Sequence, residues 1–393
     1  MHPDPAGRPT LLVAASTFPA EAGDGTPGFV LDLATALSSD HRVVVVAPMT
    51  RGARKHQRIG EVEVRRYSYF PARWRDLADG AIVDNLRAAP VRWLQVPFFF
   101  GAMAWALRRE ARRSRPDVAL LHWIIPQGVV GKVVLGGLPR VVTTLGGDLY
   151  ALRHPLLQRV KRSVVASASA VTCMSTDMAR ELRALGARDE QVHVVPMGVD
   201  LAPIASATAR ERRVPDRVLF VGRLVEKKGA TVLLEALDRL ERRPSEVVVV
   251  GDGPLRTSLE ARAGAEVDFI GAQGKEALAA RYAQAGIAVY PSVPAANGDR
   301  DGLPVALLEA MAAGCAIIAS AVPGIVDVVE DGVNGLLVSP GDADALAAAL
   351  DRLLAAPELA ERLGAAARAT AAAHTVGAVG ERYRTLLAAA LQG

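Results

Sequence analysis

Two cations and two carboxylates define the chemistry open to this chain. Arg223 and Lys228 stand five residues apart in Gly222-Arg223-Leu224-Val225-Glu226-Lys227-Lys228-Gly229, a loop that follows an apolar run. Asp301 and Glu309 stand eight apart in Asp301-Gly302-Leu303-Pro304-Val305-Ala306-Leu307-Leu308-Glu309-Ala310-Met311. That second stretch leaves loop residues (Asn297-Gly298-Asp299-Arg300) and enters a helical pattern, with Leu303, Leu307, Ala310 and Met311 at i, i+4, i+7 and i+8. Pro304 suits the first helical position, where its missing N–H is no loss. An acidic side chain thus stands at a helix N-terminus, beside amides with no partner inside the helix. Such amides and the positive end of the helix dipole hold phosphate. Fixed cations over the same amides suit a diphosphate and neutralise a departing one. The two carboxylates can accept hydrogen bonds from hydroxyls at both ends of a nucleotide sugar. The plainer reading is a capped helix with Glu309 toward solvent and two surface cations in a turn.

These groups need a scaffold that presents loops on one rim. Short apolar runs alternating with helical stretches specify a parallel, doubly wound α/β sheet, and the pattern occurs twice. In the first half the strands are Thr10–Ala15, Val43–Ala47, Val62–Tyr67, Val118–Leu121, Arg140–Thr144, Ala170–Met174 and Val192–Val195. In the second they are Arg217–Val221, Glu246–Val250, Val267–Ile270, Ile287–Tyr290, Ala316–Ala319 and Leu336–Val338. The Ala, Pro, Ser and Thr after Asp200, followed by Arg210–Arg213, read as a linker, which gives domains 1–203 and 204–375. The Ala-rich tail reads as helical, and its last piece, 376–393, as a helix returning to the first domain. Ligands in such sheets sit beyond the carboxyl ends of strands. Four further loops are therefore candidates: Phe18–Gly28, His122-Trp123, Leu145-Gly146-Gly147-Asp148 and Gly251-Asp252-Gly253-Pro254. Asp148 either meets a sugar or acceptor hydroxyl or caps the helix after it. His122 and His154 read first as structural.

Composition narrows the classes. The chain has 393 residues, too many for one typical core. Half are hydrophobic and 22% are charged, which is globular rather than disordered. Cys173 and Cys315 stand singly, so neither a disulfide framework nor a zinc site is written here. No secretory signal is evident, and the uncharged aromatic-rich run Trp93–Leu107 is interrupted by Pro97 and Gly101 and falls short of the roughly 20 residues a span needs. A cytoplasmic protein is expected. The net charge of +4 conceals an imbalance: residues 1–200 carry 26 Lys and Arg against 18 Asp and Glu, residues 201–393 carry 20 against 24. Arg108, Arg109, Arg112, Arg113 and Arg115 follow the aromatic residues Trp93, Phe98, Phe99, Phe100 and Trp105. This 93–115 segment either docks on an anionic membrane surface or acceptor, or is a solvated helix end over a core. No recognition motif accompanies the charge, so nucleic acid is not an expected partner.

The chain resembles a retaining glycosyltransferase of family four (group 1) over nearly its whole length, most strongly from Val218 to Pro340. The resemblance rests on Val221–Gly229, Gly251–Pro254, the acidic pair at 301 and 309, and Val322-Pro323-Gly324-Ile325-Val326-Asp327-Val328-Val329-Glu330-Asp331-Gly332-Val333-Asn334-Gly335. It implies the GT-B fold, two Rossmann-like parallel-sheet domains facing across a cleft. It also implies transfer of a hexose-type sugar from a UDP- or GDP-sugar to an acceptor hydroxyl, with retention and no cofactor. By that resemblance Arg223 and Lys228 hold the diphosphate and Glu309 binds the ribose. Gly302, Leu303 and Val305 cover phosphates and sugar, Gly253 and Gly28 lie near the donor, and Asp301 and Asp148 attend the reacting sugar. Two departures stand out. Asp301 replaces the family's usual Glu, and Leu145 stands where the family often has histidine, so no general base is assigned. Asp299-Arg300-Asp301 has the DxD spacing of metal-dependent transferases, but those use another fold, and no metal is expected. A non-catalytic sugar-nucleotide binder and an epimerase on the same architecture are the alternatives.

Overall fold

Strand formation follows the apolar runs closely. In a computed structural model, which describes residues 7–21, 28–80, 82–150, 154–294 and 303–392, the run TLLVA forms β1 (Thr10–Ala14), buried at every position. Each such Val or Leu contributes about 1.5–3 kcal/mol on burial. The chain divides into two units. One comprises Met1–Cys173, Met178–Val195 and Val379–Gly393, the other Met174–Asp177 and Pro196–Ala378.

The first unit holds an eight-stranded sheet. Its strands are β1, β2 (Arg42–Pro48), β3 (His56–Ile59), β4 (Val62–Tyr67), β5 (Val118–His122), β6 (Arg140–Thr143), β7 (Ala170–Cys173) and β8 (Val192–Val194), in the order β3-β4-β2-β1-β5-β6-β7-β8. All neighbours are parallel except β3 on β4. The antiparallel edge strand β3 has the sequence HQRI, whose polar alternation hides it from an apolar-run reading. The chain's final helix, Val376–Gln392, lays Val379, Tyr383, Leu387 and Ala390 into this unit's core beside β1 and β2. The Tyr383 hydroxyl shares hydrogen bonds with the Thr143 and Thr172 hydroxyls at 3.0 and 2.9 Å.

The second unit holds β9 (Val214–Val221), β10 (Glu246–Val250), β11 (Val267–Gly271), β12 (Ala285–Tyr290), β13 (Ala316–Ser320) and β14 (Leu336–Val338), all parallel, in the order β11-β10-β9-β12-β13-β14. Counted from β9, that is the Rossmann order 3-2-1-4-5-6, with its switch point between β9 and β12. The expected linker is instead a helix, Leu201–Arg210, capped by Asp200 accepting from Ala202 N at 3.1 Å. Ile204 and Ala207 of that helix are core residues of the second unit, which is why the division falls at 195/196 and not at 203. Pro203 sits in the first turn, where the amide it lacks would have had no helical partner.

Candidate active site

The second unit's rim is built from loops that touch backbone to backbone. After β9 the chain enters Gly222–Lys228; after β10 it enters Gly251–Pro254. Gly222 N donates to Val250 O (3.0 Å), Leu224 N to Asp252 O (2.9 Å) and Leu255 N to Leu224 O (3.1 Å). Gly251 has φ +141°, and a Cβ there would collide with the Gly222 carbonyl oxygen. A Cβ on Gly253 would lie 2.5 Å from the Leu224 carbonyl oxygen. These glycines are what let the two loops close on each other. The turn Glu226–Lys228 ends at Gly229, with φ +70°, whose α-carbon meets the Pro291 carbonyl just beyond β12. Val293 N then donates to Lys227 O at 3.0 Å. Three strand exits are thus tied together across the switch point.

That frame carries both cations. Arg223 is exposed and Lys228 half-buried, its methylene stem passing over Gly222. Both project from the single loop at the carboxyl end of β9. The chain beyond Val293 leads to the helix Val305–Ala313. Asp301 and Gly302 lie outside the described residues, as do 295–300. Pro304 is the N-cap, with φ −67° and ψ 127°, and not the first helical residue as its type suggests. The amides of Val305 and Ala306 therefore open the helix, in the first turn where N–H groups lack an intrahelical partner.

This helix is apolar on nearly every side: Leu307, Leu308, Ala310, Met311 and Ala313 are all fully buried, and Leu303 just ahead of it is buried as well. It packs against the helices Pro357–Ala371, Leu201–Arg210 and Lys275–Gln284. Its carboxyl end is met by two guanidinium groups: Arg213 donates to Ala313 O (2.6 Å) and Gly314 O (3.0 Å), and Arg368 to Ala313 O (2.7 Å). Cations there complement the negative end of the dipole and leave the positive end directed to the rim.

Glu309 is half-buried and receives a hydrogen bond from the Tyr282 hydroxyl at 2.9 Å. The Tyr290 hydroxyl donates to Ala306 O at 2.5 Å. Burial, and after it the neighbouring Tyr290 and Glu309, push the Tyr282 phenol well above its ordinary pKa. Burial, then Cys315 and Glu309, do the same for Tyr290. Both phenols therefore stay protonated donors. The sequence reading missed them because neither has a motif and each sits far from its partner in the chain.

Gly28 caps the helix Phe29–Leu37 with φ −80° and ψ −5°, accepting from Asp32 N at 2.8 Å. Residues 22–27, the remainder of that loop, lie outside the described residues. Asp148 is buried. One oxygen accepts from Ile124 N at 2.6 Å; the other accepts from the Thr144 hydroxyl at 2.8 Å and Leu145 N at 3.3 Å. Burial raises its pKa, opposed by those three donors. The carboxylate thus clamps the turn after β5 to the turn after β6. Between them Trp123 holds φ +77°, a strained conformation for a non-glycine residue. His122 is buried, neither ring nitrogen has a partner among the described residues, and burial lowers its pKa to about 3. His154 caps the helix Pro155–Ala166 through Nδ1, which accepts from Leu156 N at 3.3 Å.

Comparison with known proteins places the chain. The family model "Glycosyltransferase Family 4" matches residues 24–203, and "Glycosyl transferases group 1" matches 208–370. The chain is similar to the amylovoran biosynthesis glycosyltransferase AmsK of Erwinia amylovora, at 32% identity over 59% of this chain and 60% of that one. It is 34% identical to the putative colanic acid biosynthesis glycosyltransferase WcaL of Salmonella typhimurium, but over only 44% of that relative's length. It is 30% identical to the D-inositol 3-phosphate glycosyltransferase of Nocardiopsis dassonvillei over 70% of this chain and 72% of that one. Among solved structures, the sucrose-phosphate synthase of Thermosynechococcus elongatus matches with TM-score 0.75 at 22% identity, over 97% of this chain and all of that one. Anabaena HepE, in complex with UDP-glucose, matches with TM-score 0.69 at 18% identity, over 97% and 100%. With two Rossmann-like parallel-sheet units of the GT-B fold and sequence models covering both, the chain belongs to the group 1, family 4 glycosyltransferases.

Proposed function

We propose that this protein is a metal-independent retaining hexosyltransferase, moving a sugar from a UDP- or GDP-sugar to an acceptor hydroxyl. The observation that carries the reading is the placement of Arg223 and Lys228 on one loop at the β9/β12 switch point, tied through Pro291 and Val293 to the chain that enters the Glu309 helix. A guanidinium and an ammonium fixed there suit the two phosphates of the donor and the charge released on the leaving nucleoside diphosphate. Glu309, oriented by Tyr282, accepts from a ribose hydroxyl. Asp301, Gly302, Leu303 and Val305 attend the sugar and phosphates, with Gly253 shaping the loop beside them and Gly28 on the donor side of the first unit. The bond from the anomeric carbon to the phosphate oxygen breaks, one to the acceptor oxygen forms on the same face, and the acceptor proton passes to the departing phosphate. Leu145 supplies no base for that proton, and this route needs none. The acceptor is a hydroxyl on a glycan or glycoside precursor; AmsK is named for amylovoran biosynthesis and WcaL, putatively, for colanic acid biosynthesis. The two free, buried thiols, Cys173 and Cys315, fit a cytoplasmic setting.

Leu145 also favours a second reading, a sugar-nucleotide binder without turnover. One assay separates the two: UDP- and GDP-hexoses are presented with a panel of glycan and glycoside acceptors, and nucleoside diphosphate release is followed with and without a chelator. Acceptor-dependent release, insensitive to chelator, with an anomeric configuration unchanged by NMR, is expected. Tight nucleotide binding with no release on any acceptor selects the binder.

A further inference from the structure

The chain's exposed aromatic residues are concentrated in one place. Three of its four tryptophans, Trp74, Trp93 and Trp105, are more than half exposed, and so are Leu94 and Phe98. Tryptophan is seldom left this open on a monomer's surface. The helix Val96–Ser114 shows how the patch arises. Phe99, Met103, Leu107, Glu110 and Ser114 form its inward stripe. Phe98, Trp105, Arg109 and Arg112 recur at i, i+7, i+11 and i+14, on the opposite side. Phe99, grouped by sequence with the aromatics of the 93–115 segment, is buried against Tyr67 and Tyr69 with ring centroids at 5.8 and 5.0 Å, and Phe100 is half-buried. In their place Trp74 and Leu94 join the surface. The ring of Phe70 meets that of Phe98 edge-on at 5.5 Å, drawing the 70–74 segment to the helix. Leu94 and Trp93 lie in the turn Pro90–Gln95 that leads directly into it.

Cations border these rings. Arg73 stacks on Trp74 at 3.8 Å and Arg109 lies over Trp105 at 5.1 Å from the ring centroid. Arg108, Arg109, Arg112, Arg113 and Arg115 are exposed, and among the described residues no carboxylate pairs with them. Asp76, the nearby acid, is already held by Arg92 at 2.7 Å and Gln95 at 2.8 Å. The basic field reaches the β3 edge: His56 is held below its ordinary pKa by burial, then by Arg65, Lys55, Arg113 and Arg109.

We propose that this face, the outer side of the Val96–Ser114 helix with Trp74, Trp93 and Leu94, docks the protein on an anionic lipid bilayer. Tryptophan and phenylalanine suit the boundary between headgroups and acyl chains, and unpaired arginines beside them suit anionic headgroups. No described helix is long and apolar enough to cross a membrane, so the contact is peripheral. The proposal does not depend on the sugar-transfer reading.

The test uses the full chain with sucrose-loaded vesicles of phosphatidylcholine alone or with about 30 mol% phosphatidylglycerol. Sedimentation with the anionic vesicles only, reversed by salt, is expected. Arg108→Gln, Arg109→Gln and Arg112→Gln together should lower partitioning about 100-fold, near fivefold for each arginine. Trp93→Ala, Phe98→Ala and Trp105→Ala together should abolish it, with unchanged circular dichroism. In the wild type, brominated acyl chains should quench tryptophan emission. A wild type that stays in the supernatant, binds neutral vesicles equally, or is a dimer that the aromatic substitutions merely dissociate would overturn the proposal.

Discussion

The Tyr282 hydroxyl donates to Glu309 Oε2 across 2.9 Å, joining the helix Lys275–Gln284 to the helix Val305–Ala313 at the one carboxylate of the second unit's rim that the described residues include from the acidic pair. A carboxylate that must accept from a ribose hydroxyl gains from a second donor fixing its orientation. Tyr282→Phe is expected to weaken nucleoside diphosphate binding by about 1 kcal/mol, and Glu309→Ala by about 2 kcal/mol. Because Tyr282 acts through Glu309, the double variant should lose little more than Glu309→Ala alone. Additive losses in calorimetry would separate the two residues.

Asp148 makes a contrasting prediction. Its three accepted hydrogen bonds come from the turns after β5 and β6, so its replacement is expected to cost stability before chemistry. Asp148→Asn sets an amide donor among donors and should cost about 2–4 kcal/mol in urea unfolding, with nucleoside diphosphate affinity unchanged. A variant of normal stability that loses turnover would return Asp148 to the sugar.

His122 carries a pH signature. Burial lowers its folded pKa to about 3 from an ordinary 6.5. Between those values the unfolded chain takes up a proton that the folded chain refuses. Its share of stability is therefore fully present above about 6.5 and lost as pH falls, at about 1.4 kcal/mol per pH unit. His122→Asn should flatten that slope. Parallel urea midpoints for wild type and variant from about pH 7 to about pH 4 would contradict this account.

Gly251→Ala tests the frame beneath the cations. With φ +141° and the Gly222 carbonyl against its α-carbon, the position has no room for a methyl group. A loss of about 3 kcal/mol or more is expected, with weakened nucleotide binding in whatever folds. An alanine variant of wild-type stability would mean the two loops do not close as described.

Much of this was legible from residue type and spacing, and the exceptions have physical reasons. Runs such as TLLVA and EVVVV are long enough and apolar enough to be nothing but buried strands, and both sheets follow from them. HQRI escapes because an edge strand with polar faces lacks that signal. Leu201–Arg210 reads as a linker because Ala, Ser, Thr and Pro suit loops as well as helices; Asp200 at its cap and Ile204 in the core decide it. The position of Arg223 and Lys228 on the rim was legible because a loop after a strand in a doubly wound sheet has only one rim to lie on. Tyr282, Tyr290, Arg213 and Arg368 were not, since each acts on a partner distant in the chain. The exposed face around Trp105 was read with Phe99 included, because sequence alone cannot phase a helix that is apolar on two sides.

In the proposed reading Arg223 and Lys228 grip a diphosphate, and calorimetric titration of UDP and GDP into wild type, Arg223→Ala and Lys228→Ala tests this most directly. Each substitution removes a charge-assisted contact and should weaken the preferred nucleotide by about 1.5–3 kcal/mol, with thermal stability unchanged. Wild-type affinity in both variants would take these residues out of the site and leave the sugar-transfer reading without its donor.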